Sequence, residues 1–188
     1  MLKQCSSAIG VLILAMSLPV AAQDEIPGPG VGEPFEHALN ALDQNGESQT
    51  LDALMGERGV VVFFVRSADW CPFCQRQIAD FNQRLAEFEE LGLTVVSVSV
   101  DEVSEISSFA SEQQIGYTML ADPEGDINDS LGIRDLQYPV GSAAFGVPRP
   151  IIYIIDRNKT IRSLYMEPTY RTRPDLDVVL RETAELDF

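Results

Sequence analysis

One junction constrains this chain more than any other feature: the apolar run Gly59 to Val65 (GVVVFFV), followed shortly by Cys71-Pro72-Phe73-Cys74. A continuous β-rich run of that kind marks a strand buried on both faces, which demands covering layers on either side. Pro72 suits the first position of a helix, where its missing N–H costs nothing. The chain therefore passes from a buried strand into a helix, with Cys71 at the N-cap and Cys74 in the first turn. Residues three apart on a helix stand about 5–6 Å apart, a separation that a disulfide can bridge. The helix N-terminus carries roughly half a positive charge and favours thiolate over thiol. One stretch thus supplies a nucleophile, a resolving partner and an electrostatic activator, the pattern of a redox-active dithiol beside a βαβ unit.

The flanking sequence predicts the layers that such a strand needs. Ile78, Phe81, Leu85, Phe88 and Leu91 recur at helical spacing, giving one helix from Pro72 to Leu91 that Gly92 ends. Leu93 to Val100 reads as a second buried strand, Val103 to Ile115 as a helix, and Tyr117 to Leu120 as a short strand. A short helix over Asp126 to Leu131 follows, then a Gly- and Pro-rich loop from Ile133 to Pro150. Ile151 to Ile155 is a third strong strand, with Thr160 to Tyr165 as its hairpin partner, and Pro174 to Leu186 closes the chain as an amphipathic helix. Nearer the start, Phe35 to Leu42 is read as a short strand and Asn45-Gly46 as a turn. The order is that of an α/β protein whose layered sheet has an antiparallel end.

The 188 residues suit one domain. Residues 1–22 read as an export signal: a positive start at Lys3, an uncharged apolar run from Ala8 to Leu18, and small residues Val20-Ala21-Ala22 before Gln23. The run is short for a membrane span of about 20 residues, so no stable membrane insertion is expected after cleavage. Residues 23–34, rich in Gly and Pro, read as a flexible linker without ladder capacity, and 35–188 as the folded domain. Export implies a compartment where disulfides persist, the periplasm or the exterior. Cys5 leaves with the signal, so Cys71 and Cys74 are the only mature thiols. A formal net charge of −16 with no Lys/Arg cluster argues against nucleic acid. No metal is expected, because the dithiol lacks a second ligand pair and His37 is the only histidine. No cofactor is called for either.

Four stretches carry a resemblance to a known family: VVVFFVRSADWCPFCQRQ from Val60 to Gln77, LTVVSVSVD from Leu93 to Asp101, LADPEGDINDSLG from Leu120 to Gly132, and VPRPIIYIID from Val147 to Asp156. In these the chain resembles the redoxins, the alkyl hydroperoxide reductase and thiol-specific antioxidant (peroxiredoxin-like) proteins, in their Cys-x-x-Cys branch. The resemblance implies a thioredoxin fold, a central mixed sheet flanked by helices on both faces. It also implies catalysis by Cys71 and Cys74, and substrate contacts from Trp70, Pro72, Phe73, Arg149 and Pro150. Pro150 is expected as the cis-proline that opens the strand facing the cysteines. The family's Pro-x-x-x-Thr-x-x-Cys motif places Cys74 at the peroxidatic position, with Ser67 where the proline stands and Cys71 where the threonine stands. Its distant arginine falls near Arg149 or Pro150, with a one-residue offset.

Two cycles fit these residues. The Cys71 thiolate can attack a substrate disulfide and be released by Cys74. Alternatively, a peroxide can oxidise one cysteine to sulfenic acid, which the other condenses with. Both end in a Cys71–Cys74 disulfide that an external thiol reductant must reopen. A redox-switched binding module acting through the Ile133 to Arg149 loop is the non-enzymatic alternative. Asp69 and Arg66 lie close enough in sequence to tune the thiols, and Tyr138, Tyr153 and Tyr165 are read as packing or lining a groove.

Overall fold

The computed structural model describes residues 27–188. The expected signal, Met1 to Ala22, and the first residues of the expected linker lie outside this range. Thirteen elements follow in order: β1 (Ala41–Leu42), β2 (Ser48–Gln49), α1 (Leu51–Leu54), β3 (Gly59–Phe64), α2 (Pro72–Gln83), α3 (Leu85–Glu90), β4 (Leu93–Ser99), α4 (Val103–Gln113), β5 (Thr118–Ala121), α5 (Asp126–Ser130), β6 (Ile151–Asp156), β7 (Ile161–Met166) and α6 (Leu176–Ala184). The main sheet has the order β5-β4-β3-β6-β7. β3 pairs parallel with β4 and antiparallel with β6, so the sheet is mixed, as expected.

β3 is buried along its whole length, and its alternating side chains feed two cores. Val61, Phe63 and Val65 face Ile78, Phe81, Phe88 and Ile106 from α2, α3 and α4, together with Val179 of α6. Val60, Val62 and Phe64 face Phe35, Leu51, Leu54 and Ile127 on the other side. Phe63 stacks on Phe81 at 4.1 Å between ring centroids, fixing α2 over the central strand. That contact positions the cysteines at the C-terminal end of β3.

Several sequence expectations need correction. The single helix from Pro72 to Leu91 is two, because Arg84 leaves helical geometry (ψ 9°). Its guanidinium ties this corner to Glu87 and to Asp177 of α6. The strand expected over Phe35 to Leu42 shrinks to Ala41–Leu42. Leu39 has φ 51° and turns the chain, so Phe35 and Leu39 enter the core from an irregular segment. The end of the expected linker does pair: Gly32 N donates to Ile161 O at 2.8 Å, Ile161 N to Glu33 O at 3.0 Å, and Pro34 bridges Thr160. Gly28 is held as well, with φ 82°, where a Cβ would stand 2.6 Å from Ile133 Cγ2. Pro150 is not cis, for no cis peptide occurs among the described residues. Arg149 N donates to Ile133 O and Arg134 bridges Pro148, so the chain is already extended before β6 and enters it without a turn.

Candidate active site

Cys71 is the N-cap of α2 and Pro72 its first residue, as the sequence predicts. Cys74 N donates to Cys71 O at 3.0 Å and approaches Cys71 Sγ at 3.3 Å. The two cysteines form a disulfide with their Cα atoms 5.2 Å apart. Both are sealed, at 1% and 0% exposure.

The loop carrying Cys71 is pinned from beneath by a carboxylate. Asp101, just beyond β4, accepts from Ser67 Oγ at 2.6 Å, Ala68 N at 2.6 Å and Ser99 Oγ at 2.7 Å. Ser67 Oγ in turn accepts from Asp69 N and Trp70 N, both at 3.0 Å. Gln75 closes the loop from α2 by donating to the carbonyls of Ala68 and Asp69. The backbone groups from Ala68 to Trp70 that the strand-to-helix turn would otherwise leave unpaired find partners here.

Above the disulfide lies the segment joining β7 to α6. Arg173 donates through Nε to Gln77 Oε1 at 2.5 Å, through Nη1 to the carbonyls of Tyr170 and Thr172, and through Nη2 to Cys74 Sγ at 3.4 Å. Burial, and beyond it the like charges of Arg66 and Arg76, push its guanidinium down to about 10, still charged at neutral pH. Tyr170 meets the Phe73 ring edge-on at 6.0 Å. Arg66 is 6% exposed and lies 4.1 Å from the Tyr170 ring centre and 5.0 Å from those of Trp70 and Tyr138, with its Nε unpartnered. The hydrogen bond and charge of Arg171, then the charge of Arg66, hold the Tyr170 phenol below its usual range. None of Arg66, Arg76, Arg149, Arg171 or Arg173 has a carboxylate oxygen within 4.0 Å among the described residues.

The residues expected to contact substrate divide into two groups. Trp70, 42% exposed, Pro72 and Phe73 surround the disulfide. Arg149 and Pro150 instead line a groove of about 680 Å³ together with Tyr170 and Arg171. The arginine on the cysteine sulfur is therefore Arg173 rather than Arg149. Sequence reasoning missed it, along with Gln77, Asp101 and Tyr170. Arg173 sits 99 residues from Cys74, and its only local signal is a basic pair, Arg171 and Arg173, before the last helix of an acidic chain. Tyr138 joins the cage around Arg66, whereas Tyr153 is buried in the opposite core. Arg66 makes no ion pair with Asp69. His37 is a local packing group whose Nδ1 accepts from Leu39 N at 2.8 Å, and burial lowers its pKa.

Known proteins place this arrangement. The chain is 30% identical over 129 residues to "Peroxiredoxin Q, chloroplastic" of Suaeda salsa, covering 68% of this chain and 56% of that protein. It is 26% identical over 143 residues to "Peroxiredoxin Bcp" of Escherichia coli K12, covering 76% of this chain and 88% of that one. Among solved structures, peroxidoxin BcpB of Mycobacterium tuberculosis superposes with a TM-score of 0.67 at 22% identity, over 86% of this chain and 98% of that one. A cysteine-to-serine mutant of peroxiredoxin 6 from Arenicola marina gives 0.73 at 19% identity, over 83% and 72%. These two likenesses establish the thioredoxin fold. The AhpC/TSA family profile matches residues 31–164, so the chain belongs to the AhpC/TSA family and is a thiol-dependent oxidoreductase.

Proposed function

We propose that the chain is an exported thiol peroxidase in which Cys74 attacks the peroxide and Cys71 resolves the product. The contact of Arg173 Nη2 with Cys74 Sγ carries this reading. A disulfide sulfur bears no charge, yet the site directs a buried guanidinium at it and sets Arg66 and Arg76 nearby without carboxylate partners. That expenditure makes physical sense for the reduced state, in which a Cys74 thiolate becomes the counter-ion. The peroxiredoxin names of the relatives point the same way.

The cycle follows from the geometry. The Cys74 thiolate attacks one peroxide oxygen, forming an S–O bond as the O–O bond breaks, and the leaving oxygen takes up a proton. Arg173, fixed by Gln77 and two carbonyls, stabilises the thiolate before attack and the developing negative charge after it. Cys71, capping the same helical turn, then displaces water from the sulfenic acid to give the disulfide seen here. An external thiol reductant supplies the two electrons that reopen it. Export to the periplasm or exterior rests on the Met1 to Ala22 pattern. Cell fractionation and a mature N-terminus at Gln23 test it.

Stopped-flow oxidation of the reduced protein by hydrogen peroxide, beside a model disulfide, tests the activity. Cys74→Ser should abolish the fast phase, and Cys71→Ser should leave a sulfenic acid at Cys74 that dimedone captures. A peroxide rate near that of free cysteine, or a sulfenic acid that forms only at Cys71, would refute the assignment.

A further inference from the structure

The groove beside the dithiol is far larger than hydrogen peroxide requires. At about 680 Å³ it falls within the size of organic-ligand sites, about 300–1,000 Å³. Leu136, Pro150, Pro168 and the Tyr170 ring give it apolar walls, and Arg149 and Arg171 give it charge. Both arginines lack a carboxylate partner among the described residues, in a chain with formal net charge −16. Arg134 also lines the groove but is committed to Asp129. Of the two lining carboxylates, Asp135 accepts from Gln137 N and Nε2, while Glu167 has no recorded partner. Tyr170 links the groove to the chemistry: it lines the groove, meets Phe73 between the two cysteines, and its carbonyl binds the arginine that touches Cys74 Sγ.

We propose that this groove recognises a carboxylate through Arg149 and Arg171 and so directs the enzyme toward organic hydroperoxides that carry an acid group on an apolar body. The inference rests on the peroxidase reading above. The acid anchors on the arginines and the apolar body lies against the prolines and the tyrosine ring, leaving the hydroperoxide free to extend toward Cys74. Attack forms the Cys74 S–O bond and breaks the O–O bond; sulfur is oxidised by two electrons and the alcohol departs after gaining a proton. Cys71 then closes the disulfide with loss of water, and an external dithiol returns the two electrons.

The test compares cumene hydroperoxide bearing a para carboxylate with its methyl ester, a pair that differs in charge but scarcely in shape. The reduced protein should react with the acid about tenfold faster at low salt, and the preference should shrink as ionic strength rises. Arg149→Gln/Arg171→Gln should bring the acid-to-ester ratio close to unity, Arg171→Lys should retain part of it, and Glu167→Gln should raise it. A second readout needs no turnover: the matching carboxylated alcohol, titrated against the oxidised protein, should change the fluorescence of Trp70, the only tryptophan, more than the ester alcohol does. Equal rates for acid and ester, or a ratio unmoved in the double variant, overturn this inference and leave the peroxidase reading intact. Inertness toward every hydroperoxide overturns the peroxidase reading; the groove is then judged on the Trp70 titration, where a carboxylate-selective, arginine-dependent signal upholds the site and an equal or absent one overturns it.

Discussion

Replacing Arg173 isolates the electrostatics of the candidate nucleophile. Its Nη2 stands 3.4 Å from Cys74 Sγ, and two unit charges at that distance in an effective dielectric of about 20 interact by about 5 kcal/mol. That figure is a ceiling, because the thiolate is also desolvated and Gln77 and two carbonyls share the guanidinium. An opposite charge at such range typically lowers an acid's pKa by about 1–3 units. Arg173→Met should therefore move the pH midpoint of Cys74 oxidation upward by about 1–3 units. At pH 7 the oxidation rate should fall at least about tenfold, with the thiolate population. The measurement is best made in Cys71→Ser protein, where one thiol titrates alone and no coupled step blurs the midpoint. Thiolate absorbance gives the pKa directly, and stopped-flow oxidation gives the kinetic midpoint. Arg173→Lys should fall between, since an ammonium can carry the charge but cannot hold Gln77, two carbonyls and the sulfur at once. A midpoint unchanged in Arg173→Met would refute the reasoning, because it would mean that the helix N-terminus alone sets the thiol.

Asp101→Ala should destabilise the fold by about 3–5 kcal/mol in urea denaturation, since it strands Ala68 N–H and two buried hydroxyls; a loss under about 1 kcal/mol would show that the turn repacks around water. Gly59→Ala should cost about 3 kcal/mol or more, because a Cβ there would lie 2.0 Å from Ile155 O across the β3–β6 pair; a soluble variant with an unshifted midpoint would refute that. Burial raises the Asp122 carboxyl to about 6 despite hydrogen bonds from Ile127 and Asn128. A raised carboxyl binds its proton more tightly folded than unfolded, so this group's contribution is fully present at low pH and is lost as pH climbs from about 4 to about 6. Asp122→Asn should flatten that part of the stability–pH curve, and an unchanged slope would argue against it.

The sequence disclosed what local patterns encode. Gly59 to Val65 and Ile151 to Ile155 are legible as strands because continuous apolar β-branched runs have few other homes. Cys71 and Cys74 are legible as a site because cap, proline and spacing all lie within four residues. The misreadings share a different origin. Arg84 breaks a helix whose apolar period runs on unbroken, because Glu87 and Asp177 hold its side chain at the corner. Gly32 to Pro34 pair with β7 through backbone groups, which composition does not report. Arg173 and Asp101 reach the dithiol only after the sheet has assembled. Pro150 shows the limit of family analogy: one residue of offset leaves a trans proline lining a groove, and the arginine arrives on the sulfur from the segment before α6.

The relocated arginine also bears on the direction in which electrons flow. Only the reduced protein offers Arg173 a thiolate; the disulfide offers a neutral sulfur. A positive charge at this position therefore lowers the free energy of the reduced state alone and makes the disulfide a stronger oxidant. If it lowers the Cys74 pKa by about 1–3 units, at about 1.4 kcal/mol per unit, the two-electron potential rises by about 30–90 mV. The sealing of both sulfurs acts on the rate of reduction without entering this equilibrium. Arg173→Met should thus yield a disulfide that is harder to reduce at equilibrium, by an amount matching the shift of its thiol midpoint. Titration against a glutathione or dithiothreitol redox buffer at pH 7 measures the first, and thiolate absorbance the second. The two numbers must agree through linkage. A shifted thiol midpoint with an unmoved potential would mean that the guanidinium stabilises the disulfide as much as the thiolate, and that its place beside Cys74 is structural.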